Sequence, residues 1–327
     1  MEKIQVFVQL IFIGLHLEVL RMGKNRAGEV FIIKTDDRTE GINMILEKLD
    51  MDDFNGKNVA LKANFNSADP FPASTHIQTF QTILKKLKGA KSGRIILAER
   101  SGMENTREVL EKLGIFDLAS KFGFEIVVLD EEGVDGWFKT EKDGNHWFNG
   151  FYISKIFLDA DKVVQTCCLK THRFGGHFTL SLKNSVGLVA KRVPGDHHDY
   201  MSELHTSPFQ RLMIAEINKY YPVDLVLIDA MKAFINKGPE TGLVVEPNLI
   251  IAGKDRIAVD AVGVAILRYY GTTMEVSKGR IFELDQIRRA AELGVGIQSA
   301  DEIALTPVNE DSQLIAEDIE TIIEKQG

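Results

Sequence analysis

Short apolar runs recur along the chain with amphipathic stretches between them, a pattern that predicts α/β organisation. The runs read as strands are Val30–Lys34, Val59–Ala63, Arg94–Ala98, Glu125–Leu129, Lys162–Cys167, Asp224–Ile228 and Leu249–Ala252. Most are nearly unbroken in apolar character, as expected of strands covered on both faces. The predicted fold is therefore a mostly parallel or mixed sheet with helices on both faces.

The intervening helices have readable limits. Behind an N-cap at Thr75, apolar residues Ile77, Phe80, Ile83, Leu84 and Leu87 repeat at helical spacing. A helix over Arg107–Leu113 stops at Gly114, Pro208 opens another, and Arg256–Tyr270 is apolar on nearly every face, which predicts burial. Leu284–Leu293 and Gln313–Lys325 complete the set. The stretch Glu131–Phe151, rich in Gly, Asp and aromatics, reads as an excursion from the sheet, most simply a β-hairpin.

The first residues are ambiguous. Val6–Leu20 is apolar but shorter than the roughly 20 residues that span a bilayer, and it lacks a basic leader. It reads as an added strand or helix, or as an extension before a start at Met22. Residues 1–22 are thus set apart from one α/β domain over 23–327.

Composition narrows the function. A formal charge of −8 argues against nucleic acid as a partner, since that grip needs many Lys/Arg–phosphate contacts. No membrane partner is expected. Only Cys167 and Cys168 are present, and they cannot supply an iron–sulfur cluster from this chain. Free thiols and the missing leader predict a cytoplasmic location.

Five of the eight histidines fall within Lys170–His205: His172, His177, His197, His198 and His205. Lys170-Thr171-His172 follows the strand Lys162–Cys167, and ligands of open α/β sheets bind beyond the carboxyl ends of strands. Gly175-Gly176 is read as a turn entering a helix, whose N-terminus would suit an anion. Lys62, Asn64 and Asn66 end a second strand, with Thr75-His76 nearby; Glu99-Arg100-Ser101 ends a third, and Asp229 a fourth. Asp260, on an otherwise apolar helix, needs a partner: it either favours its own helix dipole behind Asp255 or orients a site lysine or histidine. The plain alternative is that these are solvent loops, helix caps and strand ends reaching water.

Lys62-Ala63-Asn64, Thr75-His76, Glu99-Arg100-Ser101, Lys170-Thr171-His172, Thr179–Asn184 with Gly187, His197/His198, Gly238-Pro239 and Ile251-Ala252-Gly253 with Val259-Asp260-Ala261 occur in an order that resembles the DUF362 family, over Val59 to Gly296. Many members carry a ferredoxin-type cysteine segment that this chain lacks, and Glu99-Arg100-Ser101 replaces the more usual Gly-Asp-Ser. A looser similarity, in the order Lys183, Gly187, His197 or His198, is to the nickel-dependent lactate racemases, and implies a lysine and a histidine used for cofactor attachment and metal ligation.

These readings combine into an expected enzyme for a small anionic substrate. Its catalytic residues are His172, Lys170 and Lys183. Lys62, Asn64, His76, Asn184 and Asp260 bind substrate, and His172, His197 and His198 are the candidate ligands of a divalent transition metal. The alternative is a non-catalytic accessory protein that grips a cofactor or serves a separate iron–sulfur protein. A third reading gives the polar residues a structural role alone.

Overall fold

The computed structural model describes residues 28–142 and 144–327. The N-terminal expectation for Val6–Leu20 and Met22 lies outside them. Twelve strands and the helices between them form the fold. In chain order the strands are β1 (Gly28–Lys34), β2 (Val59–Lys62), β3 (Ile95–Glu99), β4 (Glu125–Val128), β5 (Trp137–Lys139), β6 (Tyr152–Ser154), β7 (Lys162–His172), β8 (His177–Thr179), β9 (Leu225–Phe234), β10 (Val244–Val245), β11 (Leu249–Gly253) and β12 (Ile303–Pro307). The helices are α1 (Arg38–Leu46), α2 (Ile77–Gly89), α3 (Thr106–Lys112), α4 (Ile115–Phe122), α5 (Lys155–Asp159), α6 (Ser181–Asn184), α7 (Tyr200–Thr206), α8 (Gln210–Ile217), α9 (Arg256–Tyr269), α10 (Met274–Ser277), α11 (Asp285–Glu292) and α12 (Gln313–Gln326).

The main sheet runs β12-β1-β11-β9-β7-β2-β3-β4, with β8 added to β7 and β10 to β9. Strands β4, β3, β2, β7 and β9 are parallel neighbours, whereas β11 is antiparallel to both β9 and β1. The sheet is mixed, as expected. Alternate side chains feed opposite cores. Val30 and Ile32 pack with Ile228, Ile251 and α9, while Phe31 and Ile33 pack with Leu61, Leu227 and α1. Coverage on both faces explains why the strands read as unbroken apolar runs. Helix α9 is buried from Arg256 to Leu267 and is capped by the Asp255 carboxylate, which accepts from Ile257 and Ala258 N–H.

The Glu131–Phe151 excursion does end in an antiparallel pair, β5 with β6, separate from the main sheet. Its Trp147 and Phe151 pack on Met213 and Ile217 of α8 in a third core.

Two sequence readings are corrected. Strand β7 continues through Lys170-Thr171-His172, because β8 folds back and pairs His172 with His177. Gly175-Gly176 is consequently a hairpin turn, with Gly175 at φ +77°, and not the entrance to a helix. Thr75 does not cap α2 either. The cap is His76, whose Nδ1 accepts the Gln78 N–H at 3.2 Å, while the Thr75 hydroxyl accepts from Asn64 N–H.

Candidate functional site

In the parallel neighbours β3, β2, β7 and β9, Glu99 and Lys62 end their strands, Lys170 lies near the end of β7, and Asp229 sits in the middle of β9. Lys62, Glu99, Arg100, Lys170, His172 and Lys183 are all buried.

Lys62 and Glu99 form an ion pair at 2.8 Å, and the same ammonium donates to the Ala63 carbonyl and to Asn184 Oδ1 at 3.3 Å. Burial raises the Glu99 pKa, against the pull of Lys62. Asn184 also points its amide nitrogen at the Thr166 carbonyl, 3.4 Å away, and so ties the turn of α6 to β7. Gly187 is required beside Lys62, since a Cβ there would lie 2.5 Å from Lys62 Cε.

Among the described residues, the remaining cations lack carboxylate partners within bonding distance. Arg100 donates to the Val186 and Ser101 carbonyls and to Met201 Sδ; burial brings its pKa down to about 10. Lys170 donates to the Ala73 carbonyl, and burial lowers its pKa. The acids it feels at a distance are Glu240, which is paired with Arg173, and Asp69, which is bonded to Ser67. Lys183 has no hydrogen-bond or ion-pair partner among the described residues. Burial, then the charges of Lys170 and Arg100, bring its pKa down to about 7.

His172 completes the group. A Cβ on Gly176 would lie 2.8 Å from Lys183 Cε and 3.2 Å from His172 Nδ1, so those two atoms are within about 6 Å of each other. Burial, then Lys183 and Lys170, hold the imidazole well below its ordinary pKa, which keeps it neutral. Buried polar atoms normally find partners. Here Glu99 Oε1, Arg100 Nε and His172 Nδ1 have none.

The Gly175-Gly176 turn lies over this chamber. It is held by Arg211, which donates to the Gly175 carbonyl at 3.0 Å, and by Arg173, which donates to the Lys237 carbonyl at 2.9 Å. Gly238, pinned against Thr171, forms the rim.

Asp260 sits beneath. Its oxygens accept from Ser181 N–H at 2.8 Å and Leu182 N–H at 3.0 Å, so it caps α6 from across the core and sets the backbone that carries Lys183 and Asn184. Burial raises its pKa to about 7. Each oxygen thus bonds one backbone N–H of α6, and because Gly175-Gly176 turns a hairpin, the expected helix N-terminus after Gly176 is corrected.

Other expected residues lie elsewhere or are already engaged. Asn64 is half-buried and its backbone pairs with Thr75. His76 is occupied as a cap and lies in the fields of Arg38 and Asp229. Asp229 is itself satisfied by Arg38 at 2.8 Å, by Thr79 and by Met231 N–H. His198 bonds Glu203 at 2.6 Å and packs on Tyr200, and His197 is exposed. Among the described residues, no group of three or more His, Cys, Asp or Glu side chains is arranged to hold a metal ion. His172, His197 and His198 are not gathered into one, and lysines beside His172 would repel a cation.

Sequence reasoning undervalued Glu99 and Arg100, which complete the chamber. His205, on α7, also feels Lys183 and Arg100. The signal for Glu99 was its position, a carboxylate ending a strand beside the strand that ends in Lys62. Two cavities of about 290 and 320 Å³, bordered by Pro222, Arg256 and Val295, lie at the opposite, amino end of β9 and away from this chemistry.

Fold and side chains together define an α/β protein with a mixed sheet and several buried cations, Lys62, Arg100, Lys170 and Lys183. The chain belongs to the DUF362 family, described as a domain of unknown function, whose model matches residues 59–265. Among solved structures it is similar to the lactate racemase apoprotein from Thermoanaerobacterium thermosaccharolyticum, at 14% identity and a TM-score of 0.46. That likeness covers 75% of this chain and 58% of the other, so the chain spans less than two thirds of that protein's length. None of the curated proteins matches the chain. Among the described residues, no helix is long and apolar enough to cross a membrane.

Proposed function

We propose that this protein is an enzyme whose substrate is a small anion held in the chamber by Lys183, Lys170 and Arg100, with His172 as the proton-transfer group. The observation that carries the reading is the imbalance of buried charge. Lys183, Lys170 and Arg100 are buried without a bonded carboxylate among the described residues, and Glu99 is already committed to Lys62. Burying an unpaired cation is costly, and an anionic ligand would offset that cost. His172 suits proton transfer because it is neutral and its Nδ1 is unpartnered.

The reading is tested by titrating the full chain with acetate and with sulfate at pH 7 by calorimetry. Replacing Lys183 or Lys170 by methionine is expected to weaken binding by about 10- to 100-fold, the worth of one charge-assisted hydrogen bond. Because an anion beside Lys183 raises its pKa from about 7, binding is also expected to take up a proton. The measured heat should then vary with the ionisation heat of the buffer. Equal affinity in wild type and both variants, or no binding at all, would refute the proposal.

A further inference from the structure

Lys183 differs from the other cations of the chamber in what its nitrogen does. Lys62 and Lys170 each donate to protein oxygens, and Arg100 is fixed by two carbonyls. The Lys183 amine is bonded to nothing among the described residues, its Cε lies within about 6 Å of His172 Nδ1, and the charges of Lys170 and Arg100 act on it. A cation-rich, desolvated setting favours the neutral amine, and a neutral lysine is a nucleophile for carbonyl carbon.

We propose that Lys183 forms an imine with the carbonyl carbon of a 2-oxo acid, whose carboxylate is held by Lys170 and Arg100. This deepens the anion-site reading and rests on it. The Lys183 lone pair forms the C–N bond as the carbonyl π pair moves to oxygen. The unpartnered His172 Nδ1, within about 6 Å of Lys183 Cε, carries the two amine protons in turn to that oxygen. The oxygen leaves as water and the C=N bond remains, so atoms and charge balance without an oxidant, a reductant or a metal. Gly176 lets the two side chains approach: a Cβ there would lie 2.8 Å from Lys183 Cε and 3.2 Å from His172 Nδ1.

The test incubates the full chain with pyruvate and cyanoborohydride at pH 7, then maps reduced adducts by peptide mass spectrometry. Propionate, which has the carboxylate without the carbonyl, is titrated in parallel. One adduct is expected on the peptide holding Lys183. An exposed lysine with its ordinary pKa is about 10³-fold poorer in neutral amine at this pH, so labelling elsewhere should be at least about tenfold lower. Excess propionate should slow the labelling. The wild-type map decides by itself, so the result does not depend on a variant that folds. Propionate binding without labelling of Lys183, or label spread evenly over surface lysines, overturns the imine and leaves the anion site standing. Failure of both pyruvate and propionate to bind overturns both.

Discussion

Replacing Lys183 by methionine keeps an unbranched chain of similar length and removes a cation that the fold leaves unneutralised. The fall in its pKa from 10.5 to about 7, caused by burial and by Lys170 and Arg100, gives the scale of that penalty. At about 1.4 kcal/mol per pH unit it amounts to roughly 5 kcal/mol. The sign follows from proton counting. Below pH 7 the folded and unfolded chains both carry the charge, and the folded one bears the full penalty. Between pH 7 and 10.5 the unfolded chain keeps a proton that the folded chain has lost, so wild-type stability rises with pH. The advantage of Lys183→Met over wild type should therefore be greatest near pH 7 and shrink by about 1.4 kcal/mol per unit toward pH 10. Any change in packing adds a constant offset. Urea unfolding of both proteins at pH 7, 8, 9 and 10 measures the difference, and other titrating groups largely cancel in it. A difference that stays flat with pH would show that the amine is solvated or paired, and the charge imbalance on which the site reading rests would be gone.

Three further perturbations probe the supports of the chamber. Glu99→Ala leaves Lys62 buried and unpaired and is expected to cost about 3–5 kcal/mol in urea unfolding, whereas Lys62→Met with Glu99→Leu should recover most of it. Gly187→Ala places a Cβ against Lys62 and is expected to cost about 1–3 kcal/mol, by the same assay. Asp260→Ala strips two buried N–H groups of their acceptor, at about 1–3 kcal/mol for each. Hydrogen exchange at Ser181 and Leu182 should accelerate in that variant, and an unchanged rate would deny the cap.

The strands were legible because both faces of the sheet are covered, so the apolar runs are unbroken. Their lengths were not. Lys170 and His172 look like loop residues, but β8 pairs with them and seals them inside. Strand β12 escaped notice because Ile303–Pro307 is short, ends in proline and gains its identity from pairing with β1 at the sheet edge. Histidine density drew attention to this stretch, where His172 lies within about 6 Å of Lys183 Cε and His205 feels its charge, while His197 and His198 belong to the loop and contacts before α7. Asp260 shows the same limit. Its need for a partner was plain from its apolar neighbours, but that the partners are backbone N–H groups some 80 residues earlier is a property of packing alone.

The chamber is better understood by asking why it has survived as polar. Well-packed apolar side chains can replace buried charges without loss, and often with a gain of about 1–4 kcal/mol. A sequence under pressure for stability alone would drift toward methionine or leucine at positions 170 and 183. Instead, several features hold the cations in place. Lys170 follows a register break between β7 and β9 after Cys168, Gly187 leaves room for Lys62, and Asp260 fixes the turn that carries Lys183. Each is an arrangement that stability would not require. Natural proteins tolerate such costs chiefly where a site needs them. The expense at Lys183, in particular, is one that a bound anion would relieve.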